Sequence, residues 1–321
     1  MDIFLLTLQQ LMMMASLMVA GFLLRKKNIV PENTGIAISK LETYIFVPAL
    51  SIINQLNNCT VETFVNNSRL ILYGAVITAV AVPLGVVLSH FFIRNSNKNR
   101  ELSYTRNVYQ YGLTFSNYGF IGNFIILGVW GDLMFYKYTL FTFFLAIASN
   151  SWGLYMLIPK GQASLWKNLK KGLTAPPMLA LFFGIICGLL NLKPYFPPFV
   201  LSALDSASKC MGPAAMLLSG MVMAGYNIRE LILNKKVYIL TFVRLILIPS
   251  AFLIVLKFLG VSEEIMILVL VAFASPLGMN TIVYPAAYGG ETKTGASMIM
   301  ISSTFCIITL PLMYYLFVVI L

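Results

Sequence analysis

Apolar residues fill the chain in ten long runs, at 3–24, 34–56, 70–93, 108–128, 135–158, 174–191, 198–226, 237–258, 265–288 and 295–321, with short polar segments between them. Most approach the roughly 20 residues that a helix needs to cross a bilayer, so the pattern predicts an all-α membrane protein of ten transmembrane helices. Runs such as Leu140 to Ala148 do not alternate in polarity, as barrel strands do. Two runs are interrupted mid-span, the fourth by Asn117-Tyr118-Gly119-Phe120-Ile121-Gly122-Asn123 and the ninth by Ser275-Pro276-Leu277-Gly278-Met279-Asn280. Hydrocarbon offers no water to an unwound backbone, which must be buried in protein or line a cavity. Matching interruptions in two halves of a chain point to the substrate site of a carrier.

The composition agrees, because 59% hydrophobic and 10% charged residues cannot cover a soluble chain of 321 residues. The net charge of +11 does not form a nucleic-acid patch but recurs in alternate loops. Arg25, Lys26 and Lys27 follow the first run; Arg94, Lys98, Arg100 and Arg106 the third; Lys160, Lys167, Lys170 and Lys171 the fifth; Arg229, Lys235 and Lys236 the seventh. The opposite loops carry only Arg69, Lys137, Lys193 and Lys257. The positive-inside rule therefore puts the basic loops in the cytoplasm and both termini outside. The first run lacks a basic leader and meets Arg25 where a cleavage site would lie, so it reads as a permanent span. Cys59, Cys187, Cys210 and Cys306 are scattered and read as apolar packing.

An internal repeat is visible in the prolines. Pro48 and Pro213 are as far apart, to within one residue, as Pro83 and Pro249, and all four are expected to kink their helices in equivalent places. The same offset carries Asn117 close to Asn280. Five spans per repeat is an odd number, so the second repeat is inverted relative to the first. The chain divides into a first repeat at 1–158, a cytoplasmic basic linker at 159–173 and a second repeat at 174–321.

A helix interrupted at mid-membrane presents an N-terminus whose free N–H groups and positive dipole end attract a carboxylate. Asn117, Asn123 and Asn280 carry amides that suit a carboxylate or its waters; equally, they can satisfy the broken backbone itself. Ser275 and Ser116 are secondary candidates. Pro276 breaks the ninth span, whereas the fourth is expected to break through Gly119 and Gly122, which tolerate unusual backbone angles.

The ionisable residues within spans are Lys40, Glu42, Asp205, Lys209 and Arg244. Asp205 and Lys209, spaced i,i+4, form a structural ion pair on the plain reading. On the sharper one, Lys209 assists an anion while Asp205 carries a proton. Glu42 is the other candidate for proton coupling, Lys40 snorkels, and Arg244 braces an exposed carbonyl or meets a carboxylate. His90, the single histidine, reads as a surface residue. Catalysis has no support: Ser219-Gly220 lacks the GxSG context, Gly131-Asp132 falls in an outside loop, and there is no GxxxxGK. No cofactor is expected.

The stretch Asn117 to Gly122, the stretch from Ala274-Ser275-Pro276-Leu277-Gly278-Met279-Asn280 through Tyr284-Pro285-Ala286-Ala287-Tyr288-Gly289, and Ser302-Ser303-Thr304 with Thr309-Leu310-Pro311 together carry a family likeness. The chain resembles the auxin efflux carrier family, in its bacterial malate-permease-like branch, over essentially its whole length. The resemblance implies a fold of the bile-acid-symporter and sodium–proton-antiporter type, with helices four and nine crossing at their breaks. It also implies a scaffold of helices one, two, six and seven that forms a homodimer in the bacterial cell membrane. Helices three to five and eight to ten then form an elevator-like moving domain that carries organic anions such as dicarboxylates or auxin. Asn123 departs from the proline that family members often place after the glycine of helix four. Two other readings stay open. A sodium–proton antiporter would have carboxylates at the crossover, which neither interruption contains, and a membrane ligand sensor would carry a soluble output domain.

Overall fold

The computed structural model describes residues 3–94, 99–159 and 165–320; Lys98 and Lys160 of the basic loops lie outside them. The main elements are α1 (Ile3–Lys26), α2 (Thr34–Asn58), α3 (Arg69–Phe92), α4 (Arg100–Thr114), α5 (Tyr118–Phe141), α6 (Phe143–Leu157), α7 (Leu165–Leu173), α8 (Pro176–Leu189), α9 (Pro198–Ala224), α10 (Lys235–Phe258), α11 (Glu263–Ala274), α12 (Asn280–Tyr288) and α13 (Lys293–Ile320).

Among the described residues, six helices are long and apolar enough to cross a membrane, or seven when α7 and α8, bent by 48°, count as one span. The ten runs are thus not ten straight rods. The ninth run is split into two pieces too short to cross alone, α11 and α12, and the fourth is divided between α4 and α5; α9, although 27 residues long, carries Asp205 and Lys209 and is not among the six. The outer surface is apolar, as lipid demands: on α3, Leu72, Val76, Val80 and Val87 are exposed, while Leu70, Gly74, Ile77 and Ala81 are buried.

Helix α1 runs against α9, and α8 against α2. Close approach requires glycine: a Cβ on Gly21 would lie 2.2 Å from the Leu217 carbonyl oxygen, and one on Gly220 would lie 1.9 Å from that of Met18. Small residues at such crossings let backbones touch where lipid supplies no hydrophobic drive between helices.

The matched prolines are not accommodated alike. Pro48 and Pro249 each follow a π turn, at Glu42–Phe46 and Val243–Leu247, while Pro83 and Pro213 sit within otherwise regular helices. A π turn widens the helix ahead of a ring that removes an N–H and crowds the preceding turn. It also re-aims side chains: both π turns contain a fully buried ionisable residue, Glu42 and Arg244.

Helix α5 is itself bent at Gly131, whose φ of 79° lies in the left-handed region that glycine tolerates. The chain turns there from the second half of the fourth run into the fifth.

Candidate functional site

The two interruptions meet. Ser116 and Leu277 pair in antiparallel fashion, and the Asn117 N–H donates to the Pro276 carbonyl at 2.7 Å. Each broken backbone thereby supplies the other with a partner that neither helix can provide.

The ninth run breaks where a proline dictates it. Ser275, which precedes Pro276, is extended at ψ 153°, as steric conflict with a following proline ring requires. The fourth run does not break at Gly119 and Gly122, contrary to the sequence expectation. Phe115 (φ −114°, ψ 131°) and Asn117 (φ −83°, ψ 44°) depart from helical geometry, and Tyr118–Gly122 is already a π turn with Gly122 at helical angles. Gly122 is needed for space: a Cβ there would lie 2.4 Å from the Tyr138 hydroxyl, whereas one on Gly119 meets nothing within 4 Å.

Helix α11 ends inside the protein, and its last four carbonyls have no helical partner. All four are nevertheless filled. Ser275 Oγ donates to Val271 O at 2.6 Å, Ser116 Oγ to Ala272 O at 2.6 Å, Arg244 Nη1 to Phe273 O at 2.6 Å and Cys306 Sγ to Ala274 O at 3.6 Å. Beyond the helix, Ser302 Oγ accepts from the Leu277 N–H at 2.9 Å. Cys306 thus has a polar duty that the packing expectation did not include; Cys59 and Cys187 are buried and Cys210 is exposed.

The predicted residues separate accordingly. Asn117 is buried with its side-chain Nδ2 unpartnered. Asn280 donates to the Tyr111 hydroxyl at 2.8 Å. Asn123 is half-buried and begins the regular part of α5. Ser275 is fully buried, its hydroxyl engaged by Val271. Pro276 and Ile121 reach a cavity of about 300 Å³ between α1 and α13, with Leu11, Met14, Met300 and Ser303 among its walls. The Ser303 hydroxyl oxygen is shielded from solvent and has no partner.

The charged candidates do not converge on the breaks as a group. Asp205 and Lys209 form the plain i,i+4 ion pair at 2.6 Å, with side chains 51% and 74% accessible, and neither bonds to a residue of either break. Glu42 is fully buried in α2 with both carboxylate oxygens unpartnered. Arg244 alone reaches the crossover, donating to the end of α11. Lys40 is exposed, and His90 is exposed beside Arg106, with Nε2 3.3 Å from Nη1.

Sequence reading missed Tyr111, Tyr138 and Cys306 as parts of this site. Each lies in a run that reads as ordinary apolar helix, and only the folded arrangement brings it to a break. Ser302 had a signal, its place in the stretch that carries the family likeness.

No curated relative matches the chain. A family model described as membrane transport protein matches residues 6–167 and 162–314. With that match extending across nearly the whole length, the chain belongs to this membrane transport family, the auxin-efflux-carrier and malate-permease-like proteins.

Proposed function

We propose that the protein is a secondary transporter of small organic anions, embedded in the bacterial cell membrane with both termini outside. In this reading the ten runs form two inverted five-helix repeats. Helices α1, α2, α8 and α9 make the scaffold, through which two copies associate, and the remaining spans make a unit that moves like an elevator. The observation that carries it is the bonding of the two breaks at Asn117 and Pro276 beside an apolar cavity. Half-helix N-termini at mid-membrane favour negative charge, and the unpartnered Asn117 amide and the Asn280 amide supply donors for a carboxylate.

The cavity walls are largely apolar, with Ser303 and Thr304 the hydroxyl groups among them. Such a lining suits a carboxylate with an apolar body, such as an auxin-like acid, better than it suits malate, whose second carboxylate needs its own partner. A thermal-shift screen of carboxylates on purified protein, followed by counterflow of labelled indole-3-acetate and malate in proteoliposomes, tests the proposal. Saturable exchange of at least one acid is expected; no exchange of any stabilising acid overturns it.

A further inference from the structure

Arg244 is fully buried, in the π turn of α10, and no carboxylate pairs with it among the described residues. Nη1 donates to Phe273 O at 2.6 Å and the guanidinium stands 5.4 Å from the centre of the Phe273 ring, while Nε and Nη2 have no partner. A guanidinium keeps its proton, and an uncompensated charge within a membrane protein is costly to keep. The negative end of the α11 dipole offsets part of it.

The same helix end is where cation-coupled carriers hold their ion, since free carbonyls of a half-helix C-terminus are suitable ligands. Here those carbonyls are already occupied. Ser275, Ser116, Arg244 and Cys306 take Val271, Ala272, Phe273 and Ala274 in turn. A sodium ion, which needs several oxygens at once, would have to compete for carbonyls that each already accept a hydrogen bond.

We infer that Arg244 is a resident cation of the transport site: it holds the carbonyl end of the broken ninth helix and balances the charge of a bound monocarboxylate, so transport needs no inorganic cation. Resting on the anion-carrier reading, this makes the loaded site neutral and leaves the empty site with one positive charge. Exchange, in which only the loaded form crosses, is then insensitive to membrane potential. Removing the guanidinium charge leaves the loaded form with a net negative charge, and one elementary charge crossing about 100 mV changes a rate by up to about fiftyfold.

Two measurements test this. The first compares the melting of purified wild-type protein in sodium chloride and in choline chloride at equal ionic strength. Equal midpoints are expected, and stabilisation specific to sodium overturns the inference whether or not any acid is transported. The second follows labelled indole-3-acetate exchange in proteoliposomes under potassium–valinomycin potentials. Wild type and Arg244→Lys should be insensitive to potential, while Arg244→Gln exchanges more slowly and slows further as the potential rises. A potential-dependent wild type, or Arg244→Lys behaving as Arg244→Gln does, overturns it. Absence of wild-type exchange for every screened acid removes the anion-carrier reading instead, and the sodium comparison still decides whether the cation position is filled.

Discussion

The backbone N–H of Asn117 donates to the carbonyl oxygen of Pro276 at 2.7 Å, joining two interrupted spans about half the protein apart in sequence. Each unwound strand is thereby a condition for the other, because neither finds water at that depth. The side chains next to this bond, Ser116, Ser302 and Asn280, also serve the broken backbones or their neighbours.

Ser116→Ala should be among the more damaging of conservative substitutions. It leaves the buried Ala272 carbonyl without its donor, at a cost of about 1–3 kcal/mol. Reversible unfolding in mixed detergent should show the loss, and wild-type stability in this variant would mean that another donor replaces the hydroxyl.

Gly122→Ala should destabilise by about 1–3 kcal/mol through overpacking against Tyr138. Gly119→Ala, whose Cβ faces open space, should melt like wild type. Adding Tyr138→Phe to Gly122→Ala removes the oxygen that the new methyl would strike, and should recover part of the loss. Failure of the double variant to recover would locate the need for glycine in the backbone rather than in that contact.

Asn280→Ala and Tyr111→Phe remove the two ends of one hydrogen bond. Their effects on stability should be non-additive, with a coupling of about 0.5–1.5 kcal/mol in a double-mutant cycle. For transport the two should differ, since on the proposed function the Asn280 amide freed in Tyr111→Phe still meets substrate, whereas Asn280→Ala has no amide. Equal losses of uptake would show that Asn280 acts only by bracing the break.

Lys293 at the start of α13 is paired with Glu230 in the short helix Ile228–Ile232, and Ser297 donates to Leu231 O nearby. The hydrogen bond and charge of Lys293 hold the Glu230 carboxyl below its ordinary range. A depressed carboxylate contributes stability that is present above its unfolded value and lost as pH falls through the folded one. The melting difference between wild type and Glu230→Gln should therefore be largest near neutrality and vanish in acid. It should also shrink in high salt, because both side chains are exposed. A difference that persists in acid would assign it to packing instead.

Much of the fold was legible in the sequence because lipid imposes one simple demand, long apolar runs with basic residues in alternate loops. The ninth break was legible too, since Pro276 removes an N–H and forces Ser275 out of the helix. The fourth break was misplaced by a few residues. Gly119 and Gly122 advertise freedom at Tyr118–Gly122, but the departure occurs at Phe115 and Asn117, where pairing with the ninth run compensates the lost helical bonds.

The sequence by itself determined that the chain lives in a membrane, that two of its spans are interrupted and which polar residues lie within them, because hydropathy and proline chemistry act locally. Tertiary structure alone decided that the breaks bond to each other and that Arg244, rather than Asp205 or Lys209, reaches the crossover. It also decided that Cys306 and two serines fill the end of α11. Those outcomes depend on which helix faces arrive at the same depth from distant parts of the chain, and no local pattern encodes that meeting. The Asp205–Lys209 spacing permitted both a pair and a site; the pair formed because i,i+4 neighbours meet on any helix, whereas reaching a break requires a particular packing.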